Sequence, residues 1–184
     1  MADRPQKLLT PGPTSVPPSV LRALSEPVLH HRSPDFAAVF DLAQERLREV
    51  FRTENEVLVL TSSGTGAFES AVVNLLSPGD RVLAVSQGEF GERWQAMARA
   101  FGCDVVPLAY PWGEAPRPEE LREALVESGA ATAFIVHSET STGVVCDLEP
   151  LLVVCREAGA LSVVDAVSSL GAVPLETDAW GAGV

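Results

Sequence analysis

Residues 133–165, AFIVHSETSTGVVCDLEPLLVVCREAGALSVVD, decide the fold because they hold two short apolar runs separated by a helical pattern. The runs Ala133–His137 and Leu161–Asp165 are continuous and rich in Val, Ile and Leu, which is typical of parallel strands covered on both faces. Between them, Leu148–Ala158 has the pattern of an amphipathic helix. This strand–helix–strand unit predicts a parallel sheet with right-handed crossovers.

The same alternation continues towards the N-terminus. Further strands are predicted at Glu56–Thr61, Arg81–Ser86 and Asp104–Ala109. Helical patterns lie before and between these strands, at Pro34–Phe51, Ala67–Leu76, Gly91–Phe101 and Pro118–Ser128. Thr10–Pro18 contains too much proline for a helix or a central strand, so it is predicted to be an extended arm or a loop. The sequence therefore predicts an α/β fold with a mainly parallel sheet and helices on both faces.

Composition narrows the class of protein. The chain has 184 residues and a formal net charge of −12, which argues against nucleic acid or an anionic membrane as a partner. No apolar run approaches the roughly 18 residues of a membrane span, and the first residues lack the apolar stretch of a signal peptide. The three cysteines show no CxxC spacing, so neither a metal site nor a disulfide framework is predicted. We expect a cytoplasmic protein with reduced thiols.

Ligands of open α/β sheets bind beyond the carboxyl ends of the strands. The first such end, Ser62–Gly66, has small residues and hydroxyls before a helix, so it is either a phosphate cradle or a tight turn with an N-cap. A Walker A loop would need a lysine there, and none is present. A dinucleotide fingerprint fails as well, because the third glycine of GxGxxG is replaced by Glu69.

The other strand ends carry complementary chemistry. Asp165 is able to pair with a protonated ring nitrogen or a metal, or merely to cap the next turn. Phe90 lies between two glycines and is either a core residue or a ring that stacks on a flat ligand. His137–Gly143 is rich in hydroxyls, and His137 alone is more often structural than catalytic. A phosphate cradle, a stacking ring, a hydroxyl contact and a carboxylate for a ring nitrogen together indicate pyridoxal phosphate.

Six segments, in chain order, then carry a family resemblance. They are LTPGPT (9–14), HRSPDF (31–36), SGTGA (63–67), FGER (90–93), HSETSTG (137–143) and VDAVSSLG (164–171). With them the sequence resembles the class V aminotransferases, which are fold type I pyridoxal-phosphate enzymes, and within these the alanine/serine–glyoxylate (serine–pyruvate) aminotransferase branch. The resemblance implies an N-terminal arm or loop over 1–18 and a partial cofactor-binding large domain over 19–184, with the C-terminal small domain absent.

The resemblance also implies roles for individual residues. Ser63, Gly64 and Thr65 would hold the phosphate of the cofactor. The loop Pro11-Gly12-Pro13 resembles a segment that lines the substrate entrance.

Three further residues would contact the ring of the cofactor. Phe90 would stack on the pyridine ring, where many relatives carry tryptophan and the cysteine desulfurase branch typically carries histidine. Thr140 would contact the region of the 3-hydroxyl. Asp165 would pair with the pyridine nitrogen and keep it protonated.

One expected residue is missing from this pattern. In the family a catalytic lysine forms the Schiff base with the cofactor one strand beyond Asp165, so it is expected beyond Val184. The only lysine present, Lys7, matches no catalytic position. No residue of this chain is therefore predicted to be catalytic, and the chain is expected to be inactive alone.

The resemblance predicts an aminotransferase that moves an amino group from alanine or serine to a 2-oxo acid such as glyoxylate or pyruvate. Its partners would be a small amino acid, a 2-oxo acid and a second copy in a homodimer. One alternative is a truncated, non-catalytic binding or dimerisation module of the same fold. An NAD-dependent oxidoreductase is a third, disfavoured by Glu69.

Overall fold

Most of the apolar runs predicted as strands pair in the computed structural model, which describes residues 8–184. The strands are β1 (Arg81–Ser86), β2 (Asp104–Ala109), β3 (Thr132–Val136), β4 (Ser138–Glu139), β5 (Val144–Val145) and β6 (Leu161–Asp165). Four of them form one parallel sheet in the order β2-β1-β3-β6, while β4 and β5 form a separate antiparallel pair. Because strands numbered apart in sequence are neighbours, the helices between them must cross over the sheet.

Helices connect these strands. They are α1 (Pro18–Leu24), α2 (Pro34–Phe51), α3 (Gly64–Leu75), α4 (Glu89–Ala100), α5 (Pro118–Ser128), α6 (Leu148–Glu157) and α7 (Thr177–Trp180). The chain divides into two compact units, of which the first ends at Arg46 and the second runs from Leu47 to Val184. The first unit holds α1 and most of α2, and neither helix has a buried residue. The sheet and the other helices belong to the second unit.

The core of the second unit lies on both faces of the sheet. Alternation along β1 sends Leu83 and Val85 to the cluster formed with α5 and α6, and Val82 and Ala84 to the cluster formed with α3 and α4. In the second cluster the Trp94 ring lies 4.0 Å from the Phe68 ring and 4.4 Å from the Phe134 ring, centroid to centroid. The predicted α/β fold with both sheet faces covered is therefore confirmed.

One predicted strand is wrong. Glu56–Thr61 forms no strand, and within residues 8–184 no other strand lies alongside it. Three of its apolar side chains, those of Leu58, Val59 and Leu60, are exposed. The apolar pattern identified a segment suited to a sheet, but a strand also needs a neighbour that supplies hydrogen bonds to its backbone.

Other differences concern the ends of elements. Helix α3 begins at Gly64, three residues before the predicted start at Ala67. The sequence pattern places the start too late because Gly64 and Gly66 have a low helix propensity, although glycine is tolerated in the first turn of a helix. The short elements α1, α7 and the β4–β5 pair were not predicted. Within the described part of the chain, no helix is both long and apolar enough to cross a membrane.

Candidate functional site

The carboxyl ends of the central strands meet at a cavity of about 130 Å³. Its lining comprises Gly64, Thr65, Phe68, Phe90, Arg93, Thr140, Asp165 and Val167. Five of the six residues predicted to bind a cofactor are in this set, and the sixth, Ser63, directly precedes Gly64. Residues as far apart in sequence as Gly64 and Val167 are thus brought together by the crossover connections, because parallel strands present their carboxyl ends at one edge.

The start of α3 leaves two backbone amides without partners. Ser63 is the N-cap residue, and its carbonyl accepts from the amides of Gly66 at 3.0 Å and Ala67 at 3.2 Å. The amides of Gly64 and Thr65 donate to no acceptor of residues 8–184. Free amides at the positive end of a 12-residue helix favour an anion.

The first turn of α3 is packed closely against neighbouring side chains at its two glycines. A Cβ added at Gly66 would lie 1.8 Å from Ser62 Oγ, and one added at Gly64 would lie 3.1 Å from Val167 Cγ2. A side chain at Gly66 would therefore collide with Ser62, and one at Gly64 would press against Val167.

Asp165 contributes a buried carboxylate to the same cavity. It is 6% exposed, and its Oδ1 accepts from the Val167 amide at 2.9 Å. The expected turn cap is therefore present, and Oδ2 forms no hydrogen bond of normal geometry with the described residues. Burial raises the pKa of Asp165, the Val167 amide lowers this pKa, and the negative charge of Glu139 raises it again. The Trp94 indole also lies close enough to lower the pKa of the carboxyl. A buried carboxylate with one free oxygen is a suitable acceptor for a protonated ring nitrogen.

Phe90 and Thr140 complete the polar and aromatic lining. The half-buried Phe90 ring packs against the Trp94 cluster and also lines the cavity. The Arg93 guanidinium lies 4.9 Å from the centroid of that ring, within the range of a cation–π contact. Thr140 shares a hydrogen bond with the Ser168 hydroxyl. The Phe90 ring is therefore partly packed in the core and partly exposed to the cavity, and its stacking on a ligand stays a prediction.

Sequence reasoning missed several residues of this site. Arg93 and Glu139 lie in segments that had been noted, but no side-chain pattern marked either of them. Glu139 is fully buried and accepts hydrogen bonds from the backbone of α4, about 50 residues earlier in the chain. A contact between such distant residues leaves no signal in local spacing.

The other predicted residues are an exposed loop of the first unit and a buried histidine of the second. Pro11, Gly12 and Pro13 are exposed in the first unit. His137 is buried, which lowers its pKa, and its amide donates to the Asp165 carbonyl at 3.0 Å. Lys7 lies outside the described residues.

Other cavities lie within residues 8–184, among them one of about 370 Å³ beside Arg156 and Gly183. A mainly apolar cavity of about 400 Å³ adjoins the site and shares Phe68, Asp165 and Val167 with it. A cavity of about 580 Å³ beside Glu49 and Gly171 contains none of the predicted site residues. Within this part of the chain, no three His, Cys, Asp or Glu side chains cluster as metal ligands would.

Comparisons with known proteins agree with this geometry. Residues 8–183 match the sequence model of the family described as aminotransferase class-V. The small subunit of a soluble hydrogenase from Synechococcus sp. is 40% identical over 178 residues, which cover 95% of this chain and 46% of that protein. The serine–glyoxylate aminotransferase of Methylorubrum extorquens is 38% identical over 179 residues, covering 94% of this chain and 44% of that protein.

A solved structure shows the same fold. The alanine–glyoxylate aminotransferase from Nostoc sp. superposes with a TM-score of 0.91 at 42% identity, over 97% of this chain and 49% of that one. This chain therefore spans about half the length of the relatives it matches. Members of the family use pyridoxal phosphate. The chain belongs to the class-V aminotransferase family, in its glyoxylate aminotransferase branch, and corresponds to the N-terminal part of its relatives.

Proposed function

We propose that this chain is part of the cofactor-binding large domain of an aminotransferase. The amino donor would be a small amino acid such as alanine or serine, and the acceptor a 2-oxo acid such as glyoxylate or pyruvate. The observation that carries the proposal is the cavity that is lined by Gly64 and Thr65, whose amides have no partner among the described residues, and by Asp165 with its buried carboxylate. The names of two relatives, which specify glyoxylate, support the choice of acceptor.

The residues present fit pyridoxal phosphate. Ser63, Gly64 and Thr65 would hold the phosphate with two free amides, two hydroxyls and the helix dipole. When bound, the cofactor supplies an electron sink for the carbanion that forms at the Cα of the amino acid.

The ring would be held by three side chains. Phe90 would provide the stacking face, while Thr140 would orient the ring at its 3-hydroxyl edge. Asp165 would hold a proton at the ring nitrogen, because a buried carboxylate with an unused oxygen gains a charge-assisted hydrogen bond there. The substrate entrance at Pro11, Gly12 and Pro13 stays a proposal based on the resemblance.

A binding measurement tests this assignment. We expect saturable binding of pyridoxal phosphate in equilibrium dialysis, and roughly tenfold weaker binding by Asp165→Asn, which removes the charge of one hydrogen bond. Asp147→Asn is the matched control, since Asp147 is exposed at the start of α6. Equal binding by Asp165→Asn and Asp147→Asn would contradict the role of Asp165, and no saturable binding by the unchanged chain would contradict the proposed cofactor site.

The chain alone is proposed to bind the cofactor without turnover. Its only lysine is Lys7, which precedes the matched residues 8–183. Borohydride reduction of the complex followed by peptide mass mapping should therefore yield no pyridoxyl adduct within residues 8–184. An adduct inside that range would sink this part of the proposal.

A non-catalytic binding or dimerisation module is the second candidate. The exposed apolar run Leu58–Leu60 favours it, because such a run is suited to contact with another polypeptide. The homodimer predicted from the resemblance belongs to this proposal as well.

A further inference from the structure

Glu139 is a buried acid for which the proposed chemistry has no direct use. Its side chain is 0% exposed, and it lies on β4 next to Thr140, which lines the cavity. A carboxylate removed from water in this way is costly unless hydrogen bonds compensate for the lost solvent. The contacts of Glu139 therefore indicate what its burial achieves.

Glu139 is surrounded by donors. Its Oε2 accepts from the amides of Phe90 at 3.1 Å and Gly91 at 3.2 Å. Its Oε1 accepts from the amide of Ser141 at 3.1 Å and from the Ser141 hydroxyl at 2.6 Å. The Ser141 hydroxyl in turn accepts from the amide of Glu89 at 3.0 Å. Glu139 and Ser141 thus satisfy the first three amides of α4, at residues 89, 90 and 91.

These bonds replace the usual cap of a helix. A helix start is normally capped by a Ser, Thr, Asp or Asn side chain at the N-cap position, but α4 has Gly88 there. A Cβ at Gly88 would lie 2.4 Å from Ser141 Oγ and 2.6 Å from Glu139 Cγ. The space for a local cap is therefore occupied by the remote one. A remote cap ties two parts of the chain together, which a local cap does not.

We propose that Glu139 is a positioning residue that fixes the first turn of α4, and with it the Phe90 ring, against the segment that carries Thr140. Phe90 and Thr140 line the same cavity. Glu139 accepts a hydrogen bond from the Phe90 amide and directly precedes Thr140 in sequence. The inference rests on the proposed cofactor site and adds a residue that holds its stacking ring in place. The negative charge of Glu139, which also raises the pKa of Asp165, adds a second link to the site.

Glu139→Gln tests the proposal with little change in size. The amide group keeps one acceptor oxygen but places an NH₂ donor where either the α4 amides or Ser141 now donate. In the cofactor-free chain, we expect hydrogen exchange at the Phe90 and Gly91 amides to become on the order of tenfold faster, with exchange in β1 and β3 unchanged. Glu149→Gln, at an exposed position in the first turn of α6, is the matched control and should change neither.

A cofactor signal separates positioning from mere stabilisation. The circular dichroism induced in bound pyridoxal phosphate, measured per molecule bound, should fall in Glu139→Gln because the stacking ring is less well fixed. An unchanged signal, or exchange that accelerates equally in β1, β3 and α4, would overturn the proposal and leave Glu139 a purely structural residue.

Two further results keep the proposals distinguishable. If Glu139→Gln does not fold, Ser141→Ala takes its place as the test variant. Faster hydrogen exchange confined to the Glu89 amide would support the proposal that Glu139 and Ser141 together cap α4, and unchanged exchange at that amide would overturn it. If the unchanged chain binds no pyridoxal phosphate, the proposed cofactor site fails. The exchange measurement on cofactor-free protein then still decides whether Glu139 fixes the start of α4.

Discussion

Two buried carboxylates at the same edge of the sheet are held in different ways. Glu139 accepts four hydrogen bonds from Phe90, Gly91 and Ser141, so both of its oxygens are engaged. Asp165 accepts one from Val167, and its other oxygen forms no hydrogen bond of normal geometry within residues 8–184. Asp165 is therefore available to a ligand, whereas Glu139 is committed to the protein. Burial alone does not distinguish the two roles, because both side chains are buried.

At the same scale, buried thiols make stability depend on alkaline pH. Burial raises the pKa of Cys146 to about 12 and that of Cys155 to about 11, from an ordinary value of 9.0. Above pH 9 the unfolded chain releases these protons while the folded chain keeps them, so stability is lost as the pH rises. Between pH 7.5 and 9.5 we expect the free energy of unfolding to fall by roughly 1–2 kcal/mol, measured by urea denaturation.

A double variant provides the control for this pH dependence. Cys146→Ala with Cys155→Ala removes both thiols and should flatten the profile between the same two pH values. A slope that persists in the double variant would show that other groups cause it.

At the scale of elements, the start of α4 is fitted closely to β1. A Cβ added at Gly91 would lie 2.5 Å from Ser86 Cα and 2.9 Å from the Val85 carbonyl oxygen. Both atoms belong to the backbone of a buried strand, so no side-chain rotation relieves the contact. Gly91→Ala should therefore lower the free energy of unfolding by roughly 1–3 kcal/mol, as judged by urea denaturation.

Gly12→Ala is the reference for that measurement, since no atom would lie within 4 Å of its added Cβ. Two variants of equal stability would show that α4 is free to shift away from β1. That result would also weaken the argument that the position of Phe90 is fixed by its helix.

Elements differ in how well the sequence predicts them. Arg81–Ser86, Asp104–Ala109 and Leu161–Asp165 are strands with the predicted bounds, because a continuous apolar run between polar turns is a local signal. The β4–β5 pair has two residues per strand, too few for any periodicity. Glu56–Thr61 has the right pattern but no partner among the described residues, and pairing is not a local property.

The same distinction holds for the candidate site. Glycine, hydroxyl and carboxylate positions at strand ends are local features, so five of the residues that line the cavity could be predicted. The contacts of Glu139 with Phe90 and Gly91 join segments 48 and 49 residues apart, and only the folded chain shows them. Positioning residues of this kind lie beyond motif-based reasoning because their partners are backbone amides, which every sequence contains.

At the scale of the whole molecule, one surface is poorly suited to water. Leu58 is 75% exposed and Val59 is 58% exposed, in an extended segment whose backbone pairs with no described strand. Single exposed apolar side chains are common, but an apolar run with unpaired backbone groups is a template for association. We therefore expect the chain to self-associate with rising concentration, as measured by light scattering after size-exclusion chromatography.

Leu58→Lys should reduce this association, and Val126→Lys should not. Val126 is also 75% exposed, but it lies on α5, where the backbone groups are hydrogen-bonded within the helix. The two variants therefore introduce the same charge at equally exposed positions, and only Leu58→Lys changes the segment with unpaired backbone groups. Salt gives an independent test. Because the net charge of −12 opposes self-association, added salt should strengthen association through the apolar segment Leu58–Leu60 and weaken association through ion pairs. Equal association of both variants, or a decrease with salt, would locate the contact elsewhere on the molecule.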